Sequence, residues 1–319
     1  MSDSTSVPAM PDSEPMIRVE GLTRRFGDLL AVDRLTFSVT PGELFGLVGP
    51  DGAGKTTTLR MLAGVLRPSA GDAVMNGTSV ARDPETVKHD LAYMSQRFGL
   101  YTDLTVIENL NFYADLYQVP RSERKARLDR LFHFSNLGPF QDRLAGQLSG
   151  GMKQKLGLSC ALIHRPKILL LDEPTFGVDP ISRRDLWLIV HDMVAQGVTA
   201  VVSTAYMDEA ERFDRVALLQ EGRLLVVDRP DTLQGALEGV VIMVRVARVR
   251  EALVRLSGLP MVRRASVFGD RLHVTVDSAE RDGPAVEAAL REAGLDVFEV
   301  RVMVPSMEDV FIDRIAHKG

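Results

Sequence analysis

Residues 43–62 read ELFGLVGPDGAGKTTTLRML: a short apolar run, a glycine-rich turn GPDGAGKTT at 49–57, and an apolar-periodic segment. The order is strand, loop, helix, and the turn fits G-x-x-x-x-G-K-[ST]. Gly49, Gly52 and Gly54 allow a tight loop whose successive N–H groups turn inward, and the following helix presents its positive dipole end to anionic oxygens. Lys55 would reach the β- and γ-phosphates of a nucleotide, Thr56 would offer a hydroxyl to Mg²⁺, and Thr57 would add a phosphate hydrogen bond. Asp51 brings a negative charge close to the loop and is expected to point outward.

On the N-terminal side, residues 17–48 alternate apolar and polar positions around two turn signals, Gly27-Asp28 and Pro41-Gly42, which predicts antiparallel strands. On the C-terminal side, 105–137 reads as mainly helical. MKQKLGLSCALI, ILLLDE, a helix over 181–195, TAVVST and a short helical segment at 207–213 then alternate helix and strand, the signature of a largely parallel sheet covered by helices. VALLQEGRLLVVD, with its Glu221-Gly222 turn, predicts a hairpin that closes this domain. The expected organisation is a flexible lead-in over 1–16, a first domain over 17–230 with a helical part at about 100–160, a linker over 231–239, and a second domain over 240–319. In the second domain the predicted order is strand 240–248, helix 249–257, strand 261–268, strand 271–277, helix 284–294 and strand 296–303. That β-α-β-β-α-β order is ferredoxin-like, and a last helix from Ser306 to Ile315 follows, with Ser306 as its N-cap. Glu287 and Glu292 read as solvated, so this domain suits regulation, dimerisation or docking better than chemistry.

Composition narrows the function classes. The chain has 319 residues, 45% hydrophobic and 25% charged, enough for a substantial core in one large and one small domain. Thirty-eight basic against forty-three acidic residues leave a formal charge of -5, which argues against nucleic acid as the main partner. The single cysteine, Cys160, forms no intrachain disulfide and suits a reducing compartment. VVIMV and ILLL fall well short of the roughly 18–20 apolar residues that span a bilayer, so membrane association would come through another protein.

Further candidates follow from chemistry. ILLLDEPT at 168–175 ends an apolar strand with Asp172, a candidate for holding Mg²⁺, and Glu173, a candidate for aiming the water that attacks the γ-phosphate. Consecutive strand residues face opposite ways, so both can serve one site only if the strand end bends. Gln96 can contact Mg²⁺ or the attacking water through its amide oxygen, or be an ordinary surface residue. Phe26 can stack on a flat base or pack between strands. LSGGMKQ at 148–154 opens a helix with Ser149 at the cap and Gly150 and Gly151 behind it; the exposed N–H groups suit either a phosphate held by another subunit or a plain helix cap.

Taken together, GPDGAGKTT, Gln96, LSGGMKQ, ILLLDEP and GVDP at 177–180 resemble, in order and spacing, an ATP-binding cassette ATPase over about residues 17–230. The resemblance implies a P-loop α/β cassette with an antiparallel β subdomain and a helical insert, followed here by the small α+β domain. It implies ATP and Mg²⁺ as ligands, with Gly49, Pro50, Asp51, Gly52, Ala53, Gly54, Lys55, Thr56 and Thr57 around the phosphates and Phe26 on the adenine. Thr56, Gln96 and Asp172 would attend the metal, Glu173 would be the catalytic base, and Gln96 would couple the nucleotide to a membrane subunit. Ser149, Gly150 and Gly151 would touch the ATP of a facing cassette, and Asp179 would link the two sites. Partners implied are a polytopic permease and a second cassette, as homodimer or heterodimer, at the inner face of the plasma membrane. The extension, including PSMEDVFIDRI, looks like the accessory domain of drug or polyketide exporter ATPases, which suggests efflux of hydrophobic or amphipathic compounds.

One position departs from the family. Where related chains read S-T-H-x-M-D-E-A, this one reads STAYMDEA, so Ala205 stands in place of the switch histidine. A methyl group cannot donate to a γ-phosphate or hold a water in line, at a cost of about 10² to 10³ in rate. His191, in LWLIVHDM, reads as structural and offers no replacement. Three readings stay open: a degenerate site paired with a different ATPase, slow hydrolysis by a homodimer, or an introduced substitution. Two other functions compete, a non-hydrolysing regulatory subunit and a soluble ATP-dependent clamp on DNA or ribosomes. The clamp is disfavoured because no long coiled coil interrupts the cassette.

Overall fold

A computed structural model describes residues 14–96 and 99–316. Most of the expected lead-in, and Arg97 and Phe98 just after Gln96, lie outside the described residues. The chain divides into two compact units, one of residues up to Tyr206 together with Arg212–Val227, the other of Met207–Glu211 together with the chain from Asp228 onward.

The first unit holds two sheets. In one, β1 (Ile17–Phe26) and β2 (Leu29–Val39) form a hairpin across Gly27-Asp28, and β1 also pairs antiparallel with β4 (Ala70–Met75), which is bordered by the two-residue β5 (Thr78–Ser79). Alternation buries Ile17, Val19 and Leu22 of β1 against the core. The other sheet contains β3 (Leu44–Val48), β6 (Leu91–Met94), β7 (Ile168–Asp172), β8 (Thr199–Thr204), β9 (Arg215–Gln220) and β10 (Arg223–Asp228), in the order β10-β9-β3-β8-β7-β6. From β6 to β9 neighbouring strands are parallel. Such strands are covered on both faces, which is why β3, β7 and β8 are buried throughout. Glu221 and Gly222 both take positive φ, 49° and 76°, as the tight turn between β9 and β10 demands.

Helices cover this sheet. α1 (Lys55–Leu62) follows the glycine loop at once, and α2 (Pro84–Asp90) leads into β6. The predicted helical region resolves into α3 (Val106–Leu116) and α4 (Arg121–Ser135), both packed on α5 (Gly150–Leu162), with α6 (Pro180–Ala195) between β7 and β8. A capping box of Thr105 and Glu108 starts α3.

In the second unit residues expected to form a linker include a short helix, α7 (Pro230–Gly235): Pro230 pre-sets φ for its first turn and Leu233 is buried. Then come β11 (Val240–Val246), α8 (Val249–Leu256), β12 (Val262–Phe268), β13 (Arg271–Val276), α9 (Ala279–Glu292), β14 (Val297–Val302) and α10 (Met307–Ala316). Sheet order β12-β13-β11-β14, all antiparallel, is the ferredoxin-like arrangement. Ile242 and Val244 of β11, Leu272 and Val274 of β13, and Val286 and Leu290 of α9 form its core. α9 begins five residues earlier than predicted because Ser278 Oγ accepts the Arg281 N–H, and Pro284 is carried inside the helix.

A buried pair fastens α10. Asp309 accepts from Ser306 N at 2.8 Å and Ser306 Oγ at 2.7 Å, and both its oxygens lie 3.0 Å from His273 Nδ1 on β13. Burial pushes the Asp309 carboxyl up, but the hydrogen bonds from His273 and Ser306 outweigh it and leave the pKa below the ordinary aspartate value. A depressed folded pKa stabilises above the unfolded value, about 4, and that stabilisation is lost as pH falls through the folded one. Asp309→Asn is therefore expected to cost about 1–3 kcal/mol at pH 7 and progressively less as pH falls below about 4, read from urea unfolding across that range. A loss that stays constant across the range would show that the carboxylate charge does not matter.

Candidate functional site

The glycine loop is shaped by its surroundings. A Cβ on Gly49 would lie 2.2 Å from the Leu219 carbonyl oxygen, and one on Gly54 would lie 2.7 Å from that of Ala31; Gly52 and Gly54 take φ of 79° and 94°. Ala53 is buried and its N–H donates to the Pro50 carbonyl, while Asp51 is exposed, as expected from its charge. At the loop's end Lys55 is only 4% exposed. Its ammonium donates to the carbonyls of Gly49 at 2.8 Å and Pro50 at 3.0 Å and pairs with Glu173 Oε1 at 3.2 Å.

The neighbouring strand end supplies the acids. Thr56 Oγ1 and Ser203 Oγ donate to Asp172 Oδ1 at 2.9 and 2.8 Å, and Tyr93 OH donates to Oδ2 at 3.4 Å. Burial, then the Asp172 charge, push the Tyr93 hydroxyl above its usual pKa, so it stays a donor. Glu173 sits at φ 48°, a left-handed conformation for a residue with a side chain. This is the bend that the alternation argument requires, and its N–H is fixed by Ser203 through Oγ at 3.0 Å and the carbonyl at 3.2 Å. Gln96 Nε2 donates to Glu173 Oε2 at 3.1 Å. Lys55, Thr56, Gln96, Asp172 and Glu173 thus converge as anticipated. Ser203 and Tyr93 were missed; the only signal for them was a hydroxyl in or at the end of an otherwise apolar strand.

A second cluster lies where α5 and α6 begin. Ser149 Oγ accepts the Met152 N–H at 3.3 Å, capping α5. Gly151 has no room for a side chain, since a Cβ would meet Ser182 Oγ at 2.2 Å. Asp179 Oδ1 caps α6 by accepting from Ile181 N and Ser182 N, and the hydrogen bonds from Ser182 hold its carboxyl below the usual range. Gly150 is exposed beside Ser149. Phe26 is 44% exposed at the end of β1, with the Arg24 guanidinium 4.6 Å from its ring centroid, so it is not a core aromatic.

Ala205 follows β8 and is half-buried, and Tyr206 beside it stacks under Arg183, 4.5 Å from the ring centroid. Among the described residues the Glu173 carboxylate meets Lys55 and Gln96, and no imidazole contacts it. His191 packs beside Trp187, where burial lowers its pKa. Among the described residues no group of three or more His, Cys, Asp or Glu side chains could hold a metal alone. One hydroxyl and one carboxylate, Thr56 and Asp172, fit Mg²⁺, which usually completes its shell with phosphate oxygens and water. No helix among the described residues is long and apolar enough to cross a membrane.

Comparison with known proteins agrees with this geometry. Residues 32–176 match the family model described as ABC transporter. The chain is 43% identical to the probable multidrug ABC transporter ATP-binding protein YbhF of Escherichia coli over 96% of its own length but 53% of the relative's, so it spans about half of that protein. It is 33% identical to the daunorubicin resistance ATP-binding protein DrrA2 of Streptomyces coeruleorubidus over 95% of both chains. It is 35% identical to the Nod factor export ATP-binding protein I of Burkholderia thailandensis over 93% of this chain and 95% of that one. A solved ATP-binding subunit of an ABC transporter superposes on 69% of this chain and 92% of its own, with a TM-score of 0.63 at 30% identity. With its glycine loop, paired acids and LSGGMKQ helix start set in the same cassette fold, the chain belongs to the ATP-binding subunits of ABC transporters.

Proposed function

We propose that this chain powers an ABC exporter, binding Mg·ATP at residues 49–57 and hydrolysing it slowly to move a hydrophobic or amphipathic compound through a separate polytopic permease. The observation that carries the reading is the convergence of Lys55, Thr56, Asp172 and Glu173 on one loop. Lys55 supplies the cation for the β- and γ-phosphates. Thr56 and Asp172, already joined by a hydrogen bond, would hold Mg²⁺, which neutralises charge on the transferred phosphoryl group. Glu173 orients the attacking water and takes its proton, and Gln96 holds the free carboxylate oxygen in place.

The partners follow from what the surface offers. Tyr101 and Phe112, with centroids 4.5 Å apart, and Leu116 on α3 are exposed apolar side chains in the segment that follows Gln96 in sequence, suited to a permease helix at the inner membrane face. Ser149, Gly151 and Asp179, clustered where α5 and α6 begin, suit the ATP of a facing cassette. A second reading, a degenerate regulatory cassette in a heterodimer, is favoured by Ala205.

Equilibrium binding of Mg·ATP should weaken about 10- to 100-fold in Lys55→Ala, the worth of one charge-assisted phosphate contact; unchanged affinity would remove the whole proposal. Ala205→His should raise turnover by up to about 10² to 10³ while leaving ATP affinity nearly constant. Equal turnover in the two chains would show that position 205 does not limit catalysis. Ser203→Ala should lower turnover and cost about 1–3 kcal/mol in chemical unfolding by freeing Asp172 and the Glu173 N–H, whereas Ser203→Thr should keep both near the parent values.

A further inference from the structure

A cavity of about 440 Å³ opens in the first unit, between α4, the segment after α5 and the end of α6. That volume lies within the range of about 300–1,000 Å³ typical of small-molecule sites. Its floor is apolar, with Leu131 and Phe134 of α4 and Met193 of α6 among the side chains that line it. Every ionisable side chain in the lining is a cation: Arg127, Arg130, Arg165 and Lys167. In a chain of net charge -5 this is a local reversal.

Two of the four cations are already occupied. Arg127 pairs with Glu123, which lies outside the lining, and donates to the Ile163 carbonyl at 2.9 Å just past the end of α5. Lys167 pairs with Asp90 at 3.2 Å. Arg130 and Arg165 differ. Both are exposed, Arg130 lies over the Phe134 ring at 5.4 Å, and neither forms an ion pair among the described residues, although the Glu123 carboxyl, held low chiefly by Arg127, also feels the Arg165 charge. Arg165 is also held at φ 60°, a left-handed conformation disfavoured for a residue with a side chain. Arg127 caps a carbonyl just past the end of α5, whereas no carbonyl bond from the Arg130 or Arg165 guanidinium is seen among the described residues.

We infer that this cavity binds a single-chain amphipathic anion, its aliphatic chain on the Leu131, Phe134 and Met193 floor and its phosphate or carboxylate head between Arg130 and Arg165. Chain and head contribute separately. Burial of each methylene is worth several-fold in affinity, and each charge-assisted contact about tenfold or more. The site is distinct from the nucleotide loop and the inference does not depend on the exporter reading.

Calorimetric titration of the full chain with dodecyl phosphate below its micelle concentration tests this, with inorganic phosphate, dodecanol and dodecyltrimethylammonium as comparison ligands. Dodecyl phosphate should bind at least tenfold tighter than dodecanol and at least a hundredfold tighter than inorganic phosphate, and the ammonium amphiphile should bind more weakly than dodecanol. Saturating Mg·ATP should leave its affinity unchanged. The exposed pair Arg130→Ala/Arg165→Ala should weaken it by tenfold or more without altering ATP affinity, and Met193→Trp, which fills the floor, should abolish it. Equal binding of the three dodecyl compounds, phosphate binding as tightly as its dodecyl ester, competition by Mg·ATP, or no response to the arginine pair would each overturn the assignment. Loss of ATP binding with amphiphile binding intact would overturn only the exporter proposal.

Discussion

Two adjacent carboxylates serve one nucleotide loop only because the backbone turns left-handed at Glu173. Strand geometry would send Asp172 and Glu173 to opposite faces of the sheet. At φ 48° the second swings back toward the first, at a cost of about 1–3 kcal/mol. Three hydrogen bonds oppose that cost: the Glu173 N–H to Ser203 Oγ, the same N–H to the Ser203 carbonyl, and the Phe176 N–H to the Glu173 carbonyl at 3.1 Å. Parallel pairing sets Ser203 directly beside Asp172, so one hydroxyl bonds the first carboxylate and the backbone of the second together. Lys55 and Thr56 then close the set from the loop side, one on each acid.

The glycine loop was legible because its constraint is local: three glycines, a lysine and a threonine at fixed spacing between a strand and a helix leave little freedom. The acids were legible as a motif, and even the need for a bend followed from strand alternation, but its form did not. Ser203 and Tyr93 come to Asp172 from strands distant in sequence, and nothing local marks a serine in TAVVST as a bridge. Phe26 could not be read either way, since an aromatic at a strand end looks the same from sequence whether it faces core or solvent. At α9 the early start escaped notice because Pro284 reads as a helix beginning, whereas the serine six residues before it makes the cap.

Ala205 changes the balance of this site more than its construction. The strand that ends just before it carries Ser203 and Thr204, and these make their own contacts: Ser203 with the Asp172 carboxylate and the Glu173 N–H, Thr204 through its carbonyl with the Gly49 N–H at 3.3 Å. None of these contacts involves the side chain at 205. Under the proposed function a methyl group would forfeit a donor toward the phosphate side. Binding would draw on the loop amides and Lys55 and the chemical step on alignment of water and γ-phosphate, so the deficit would fall on the second.

The segment after Gln96 is tied down at its far end. Tyr113 OH donates to the Gly99 carbonyl at 2.7 Å, and the Tyr101 N–H donates to Asn109 Oδ1 at 2.9 Å. Asn109 is fully buried, and its Nδ2 donates to the carbonyls of Tyr101, Leu104 and Thr105, replacing the backbone partners that an irregular segment lacks. Gln96, the residue that touches Glu173, is thus three residues from a point fixed to α3 and five from Tyr101, whose ring rests on Phe112. From Gly99 onward the chain is anchored to α3 by these side-chain contacts, so a displacement of residues 99–101 would have either to break them or to carry with it α3 and the Phe112 ring on which Tyr101 rests.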